Sequence, residues 1–272
     1  MDFFYYDTED HVERFIAMLE GVSATIQVLI LSHACINVEV PSTSLDLMPA
    51  VFPCLRFLVV ESWLEIGDTD SEQSVIASLC RAACAVDRLH IIGRYCARVH
   101  SFLHAGALQF PAVRFLRYCI VDEGPSADWL TFIAAFPLLE ELQISGGNPA
   151  PVLHAAMAMD AAAAAGEGVP AWRNLKTLIF LGAHEYIAVR FVQHRARTGH
   201  PLAAVTYAGW FGAHAKQVFK TLNVNYTPLR RSMADGHDST KDWIEYWRMV
   251  NGELEFLSLP VSSDSSVPIE IC

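Results

Sequence analysis

The sequence is short of charge, and of positive charge most of all. Only 18% of its 272 residues are Asp, Glu, Lys or Arg, against 53% hydrophobic, a balance that excludes disorder as a whole-chain state. Nineteen Lys+Arg face thirty Asp+Glu, giving −11 at pH 7. That is the wrong sign for a protein that grips phosphate backbones, so nucleic acid is excluded as the main partner. Long apolar runs are also lacking. The most apolar stretch, around Ile26 to Leu31, is far short of the ~20 residues a membrane span needs. Met1 to Asp7 has neither the basic start nor the apolar core of a signal peptide. The seven cysteines form no metal-type pairs; Cys80 and Cys84 are spaced as on one helix face. These features point to reduced thiols in the cytoplasm or nucleus. Ile269 stands where a C-terminal lipid anchor would need its cysteine.

Signatures of catalysis are equally scarce. There is no phosphate-binding glycine loop and no dinucleotide fingerprint. His184-Glu185 starts like a zinc-protease motif, but Ala188 stands where the second imidazole is required. Gly21-Val22-Ser23-Ala24-Thr25 lacks the last glycine of a nucleophile elbow. Asp68-Thr69-Asp70 reads as a polar loop before a helix cap, and His184, His194, His200 and His214 share no ligand spacing. No catalytic residue, metal or cofactor is expected.

What the chain has in abundance is a repeated phrase. Phe110-Pro111-Ala112-Val113-Arg114-Phe115-Leu116-Arg117-Tyr118 returns as Phe136-Pro137-Leu138-Leu139-Glu140-Glu141-Leu142-Gln143-Ile144, with helical spacing between them. Its apolar pattern, L-x-x-L-x-L with substitutes, recurs from residues 26, 55, 86, 113, 139, 175 and 202, at intervals of 29, 31, 27, 26, 36 and 27. Weaker fits start at Phe219 and Leu254. Pro53, Pro111, Pro137 and Pro201 stand just before four of the phrases. One such unit cannot bury its apolar face alone, so neighbours must stack. The period predicts an α/β solenoid, irregular and leucine-rich-repeat-like, with parallel strands on the concave side and helices on the convex side.

In order, the repeats are expected to fill residues 1–225, including an N-terminal helix over 9–20 that Gly21 stops. Ser126 is read as the cap of a helix over 129–136, and an Ala-rich helix over 152–165 accounts for the longest interval. A helix from Ile187 ends in a basic last turn closed by a left-handed Gly199. A C-terminal cap over 226–260, with a helix over 240–250, and a flexible tail over 261–272 complete the reading.

Phe52-Pro53-x-Leu55-x-x-Leu58-x-Val60, the two phrases above, and Trp172-x-x-Leu175-x-x-Leu178 make residues 22–225 resemble the leucine-rich-repeat region of fungal F-box-type proteins. The sequence departs from that family in two ways. Trp63, Val121 and Gly147 occupy the position where the pattern expects Asn, and the Leu-Pro-x-Glu of an F-box is not found. The resemblance implies a non-enzymatic protein-interaction module, the substrate-recognition half of a ubiquitin-ligase adaptor without its docking half.

The strand residues that alternate with the inward ones are assigned to the concave face. They are Val28, Ile30 and Ser32; Phe57, Val59 and Glu61; Arg88, His90 and Ile92; Phe115, Arg117 and Cys119; Glu141, Gln143 and Ser145; and Thr177, Ile179 and Leu181. Phe57, Arg88, His90, Phe115, Arg117 and Gln143 combine aromatic, guanidinium and amide groups, chemistry concentrated at interface hot spots. They are the predicted partner-protein site, and Arg117→Glu is expected there to leave stability nearly unchanged. The competing reading is a hydrolase or transferase whose repeats are ordinary parallel strands.

Overall fold

The structure is a computed structural model. It describes residues 17, 19–32, 52–61, 82–83, 85–92, 103–104, 106, 108–120, 128–181, 185–207 and 211–228. The N-terminal half of the 9–20 helix, the 240–250 helix, the tail, Ser126, His184 and the Asp68–Asp70 loop lie outside them.

Each apolar phrase forms its strand two residues in. The strands are β1 (Val28–Ser32), β2 (Phe57–Glu61), β3 (Arg88–Ile92), β4 (Phe115–Ile120), β5 (Glu141–Gly146), β6 (Thr177–Leu181) and β7 (Ala204–Tyr207). An eighth, β8 (Asn225–Pro228), follows them. All pair in parallel in one sheet whose spatial order is the chain order, β1 to β8. The chain is therefore α/β with an eight-stranded, all-parallel sheet. Helices α1 (Trp129–Ala134), α2 (Ala150–Ala164), α3 (Glu185–Arg197) and α4 (Ala213–Thr221) fill the intervals from β4 onward. Consecutive helices touch one another.

Register explains why the phrase repeats. The second residue of each strand meets its counterpart in the next, so Leu29, Leu58, Leu89, Leu116, Leu142, Leu178 and Val205 form one file across the sheet. Val60, Ile91, Tyr118, Ile144, Phe180 and Tyr207 form a second. Both files are buried in a single core with Phe132, Leu153, Phe191 and Phe219 from the helices. A shift of one residue in any strand would turn its leucine out of the file, so register is fixed by burial.

The entry to the strands is equally repetitive. Leu55, Val113, Leu139 and Leu175 each donate a backbone hydrogen bond to the residue three before, Phe52, Phe110, Phe136 and Trp172. Pro53, Pro111 and Pro137 occupy the second position of these turns, where a preset φ is favoured. Phe110 and Phe136 stack with ring centroids 5.6 Å apart and planes 2° from parallel. The residue just before each of β2 to β6 alternates in charge along Arg56, Asp87, Arg114, Glu140 and Lys176, tied by backbone bonds from each to the one before. Glu140 accepts from Arg114 on one side and from Lys176, at 3.2 Å, on the other.

Several local expectations shift. Asp128, not Ser126, caps α1; its carboxylate accepts from the backbone of Leu130 and Thr131 at 3.0 and 3.1 Å. Gly21 lies inside helical backbone that runs through Val22, so the helix ends later than the glycine suggested. Phe219 belongs to α4, and β8 begins at Asn225. β8 crosses the boundary drawn at residue 225, and its phrase, Asn223-x-x-Tyr226-x-Pro228, is too polar for an apolar ruler to find. By contrast, Gly199 closes α3 at φ +84, where His200 donates to the Arg195 carbonyl. At Gly146, φ +80, a Cβ would stand 2.5 Å from the Ile120 carbonyl oxygen, so only glycine lets β5 leave the sheet there.

One buried ion pair fastens the helix layer. Arg195 of α3 and Asp160 of α2 are fully buried and 3.0 Å apart. The same guanidinium donates to the carbonyls of Ala171 and Trp172 at 2.7 and 3.0 Å. Trp172 has φ 39, a strained value for a bulky residue. Arg195 thus links α2, α3 and the turn into β6, and supports that strained turn. Among the described residues no helix is long and apolar enough to cross a membrane.

Candidate functional face

Because side chains alternate along a strand, the first and third residues of each strand lie on the sheet face opposite the helices. Register aligns Phe57, Arg88, Phe115, Glu141 and Thr177 in one row. The next row runs Val59, His90, Arg117, Gln143 and Ile179. All six predicted partner-binding residues therefore share one face of four adjacent strands.

Their exposure differs from the expectation. Arg88 and Phe115, with Glu141 beside them, are partly exposed. Phe57, His90, Arg117 and Gln143 are buried, at 4%, 3%, 4% and 2% of full exposure. Charge reversal at Arg117 therefore puts a carboxylate in a buried position, and the expectation that it is harmless to stability is corrected. At the β1–β3 end, Phe57, Val59 and Ile92 form a small apolar cluster of their own, with Val28 and Ile30 packed against it.

Contacts within the face order its charges. The Arg88 guanidinium lies 4.7 Å from the centre of the Phe115 ring. Phe57 meets His90 edge to face, with centroids 4.7 Å apart. Burial, and then the guanidiniums of Arg117 and Arg88, hold the His90 pKa well below the usual histidine value, so the imidazole is neutral at pH 7. Burial pushes the Glu141 carboxyl up to about 7, with Arg88 pulling against it. Gln143 is different in kind. Among the described residues, neither its amide nitrogen nor its amide oxygen has a hydrogen-bonding partner.

His90 on β3 and Glu141 on β5 have β4 between them, two strand spacings or ~10 Å, too far for direct proton transfer. Among the described residues no group of three His, Cys, Asp or Glu side chains could hold a metal ion. On the helix side, Gln193, Ala196, Arg197 and Leu222 line an open cleft of about 440 Å³, with no carboxylate or nucleophile among the described lining residues.

Sequence reasoning found the members of the face but passed over Glu141 as a titrating group. Its signal was the row itself, a carboxylate one residue from an inward leucine. Comparison with known proteins finds no matching family model, no similar curated protein and no similar solved structure.

Proposed function

We propose that the chain is a leucine-rich-repeat-like solenoid that binds another protein through the sheet face opposite its helices. In this reading it is the substrate-recognition part of an F-box-type adaptor. The observation that supports it most is the in-register grouping of Phe57, Arg88, Phe115, Arg117 and Gln143 on one side of a sequentially ordered parallel sheet. The buried amide of Gln143, with no hydrogen-bonding partner among the described residues, is understandable if a partner supplies the matching groups.

The test is affinity capture from native cell extract with the wild-type chain beside Arg88→Glu and Phe115→Ala, both at partly exposed positions. Proteins held by wild type and lost from variants with unchanged melting temperature support the reading, and ligase subunits among the remainder support the adaptor assignment. Identical captured sets from all three chains would contradict it.

A further inference from the structure

We infer that this face is already occupied by the protein itself. Residues 229–272, which follow β8, lie along the row of Val59, His90, Arg117, Gln143 and Ile179, and a partner protein binds by displacing them. This is regulation of the proposed binding face and rests on that reading.

The starting point is that one side of an open sheet is closed. Val59, His90, Arg117, Gln143 and Ile179, from β2 to β6, are 0%, 3%, 4%, 2% and 4% exposed. Side chains stand roughly perpendicular to a sheet, so strand neighbours shield their flanks and leave their tips open. The described helices do not close the row, because Leu19, Leu103, Phe132, Leu153, Phe191 and Phe219 all pack into the core on the other side. Arg88, His90, Phe115 and Arg117 are also engaged beyond the contacts given above. The burial is that of a single chain, so the cover is the chain's own.

Reach singles out one stretch. Residues 147–149 and 182–184 are three-residue links to helices on the other side, too short to lie over Gln143 and Ile179. Residues 121–127 would spend nearly all of their ~23 Å extended reach in going from β4 to β6 and back, ~19 Å. The longer segments 33–51, 62–81 and 93–102 are needed on the helix side, where Leu29, Leu58 and Leu89 are 2%, 0% and 0% exposed. Residues 1–16 belong to the β1 end of the sheet, five strand spacings or ~24 Å from β6. Residues 229–272 leave β8 only ~10 Å from β6 and reach β3 in about eight extended residues.

The direction of approach agrees. β8 is parallel to its neighbour, so residues 229–272 leave at the rim where the strands end. That rim is where the face is closed. On β3 to β6 the first residues, Arg88, Phe115, Glu141 and Thr177, stay partly exposed while the third are buried. Thr206 of β7 is partly exposed and Thr227 of β8 exposed, so the stretch joins the row at β6. Its sequence suits the groups beneath. Trp243, Trp247 and Phe256 supply rings for aliphatic, imidazole and guanidinium groups, and Glu245 and Glu255 supply carboxylates.

The experiment replaces Phe115 by p-benzoylphenylalanine in the full chain, irradiates the dilute purified protein and maps cross-links by mass spectrometry. Intrachain cross-links from position 115 into residues 229–272 are expected. Cross-links only to 33–51, 62–81, 93–102 or 121–127, or none at all, would overturn the inference. Displacement is read separately, by affinity capture from native cell extract with Trp243→Ala/Trp247→Ala in the full chain. That variant should capture severalfold more of the proteins that wild type holds. Adding Arg88→Glu should remove the gain, which distinguishes a freed face from a misfolded chain. Capture equal to wild type would overturn displacement by a partner. Cross-links into 229–272 with no protein captured by either chain would retire the partner-binding reading and leave the self-cover standing.

Discussion

Leu142 and Gln143 are neighbours on β5, almost equally buried at 1% and 2%, yet they belong to different problems. Leu142 points into a file of leucines that runs across the sheet and closes on the helices. Gln143 points to the other face, between Arg117 and Ile179, and its amide has no hydrogen-bonding partner among the described residues. One side of the sheet is filled with side chains that stabilise by being buried. The other buries an apolar cluster at its β1–β3 end and, on β5, an amide with no hydrogen-bonding partner among the described residues.

The largest expected effect is on the folding face. Leu142→Asp buries an unpaired carboxylate in the core and should abolish cooperative thermal unfolding, and the milder Leu142→Ala should cost about 2–5 kcal/mol in denaturant titration. Arg195→Ala leaves Asp160 buried without its partner and should cost about 3–5 kcal/mol. A far smaller loss in the same titration would show that Arg195 does not support the strained turn at Trp172. On the other face, Arg117→Glu should destabilise by less than Leu142→Asp but measurably, as a shift in melting temperature, because its site is closed to water.

The smallest effect is a pH dependence with opposite signs on one face. Glu141 titrates near 7 when folded against an ordinary 4.5, so its contribution to stability is complete below pH 4.5 and is lost as pH rises through 7. His90, held below its ordinary 6.5, contributes fully above that value and loses stability as pH falls through its lowered folded-state pKa. Glu141→Gln should remove the fall in melting temperature that Glu141 causes between about pH 4.5 and 7. A slope equal to wild type across that window would show that the Glu141 carboxyl is not perturbed.

The folding face was legible because its signal is repetitive. Six leucines in one file, with aromatic residues and prolines at the strand entries, impose a period that survives unequal helix lengths. β8 was misplaced because Asn223, Tyr226 and Pro228 carry its phrase without the apolar residues the ruler required. The alternation of Arg56, Asp87, Arg114, Glu140 and Lys176 was in plain sight, but only the strand register makes those residues neighbours. The Asp160–Arg195 pair was hidden, since residues 35 apart on two helices carry no local mark of contact. On the other face, alternation identified every member by position. Period says nothing about exposure, however, so the near-complete burial of His90, Arg117 and Gln143 could not be read from it.

The most direct test of the division of labour between the two faces is a pair of variants one residue apart, Leu142→Ala and Gln143→Leu, each measured for melting temperature and for affinity capture of partner proteins from native cell extract. The account predicts opposite outcomes: Leu142→Ala melts well below wild type but captures the wild-type set while folded, and Gln143→Leu melts at or above wild type but loses captured partners. If both variants lose stability and neither loses captured partners, the two faces are one structural core and the recognition role assigned to the second is wrong.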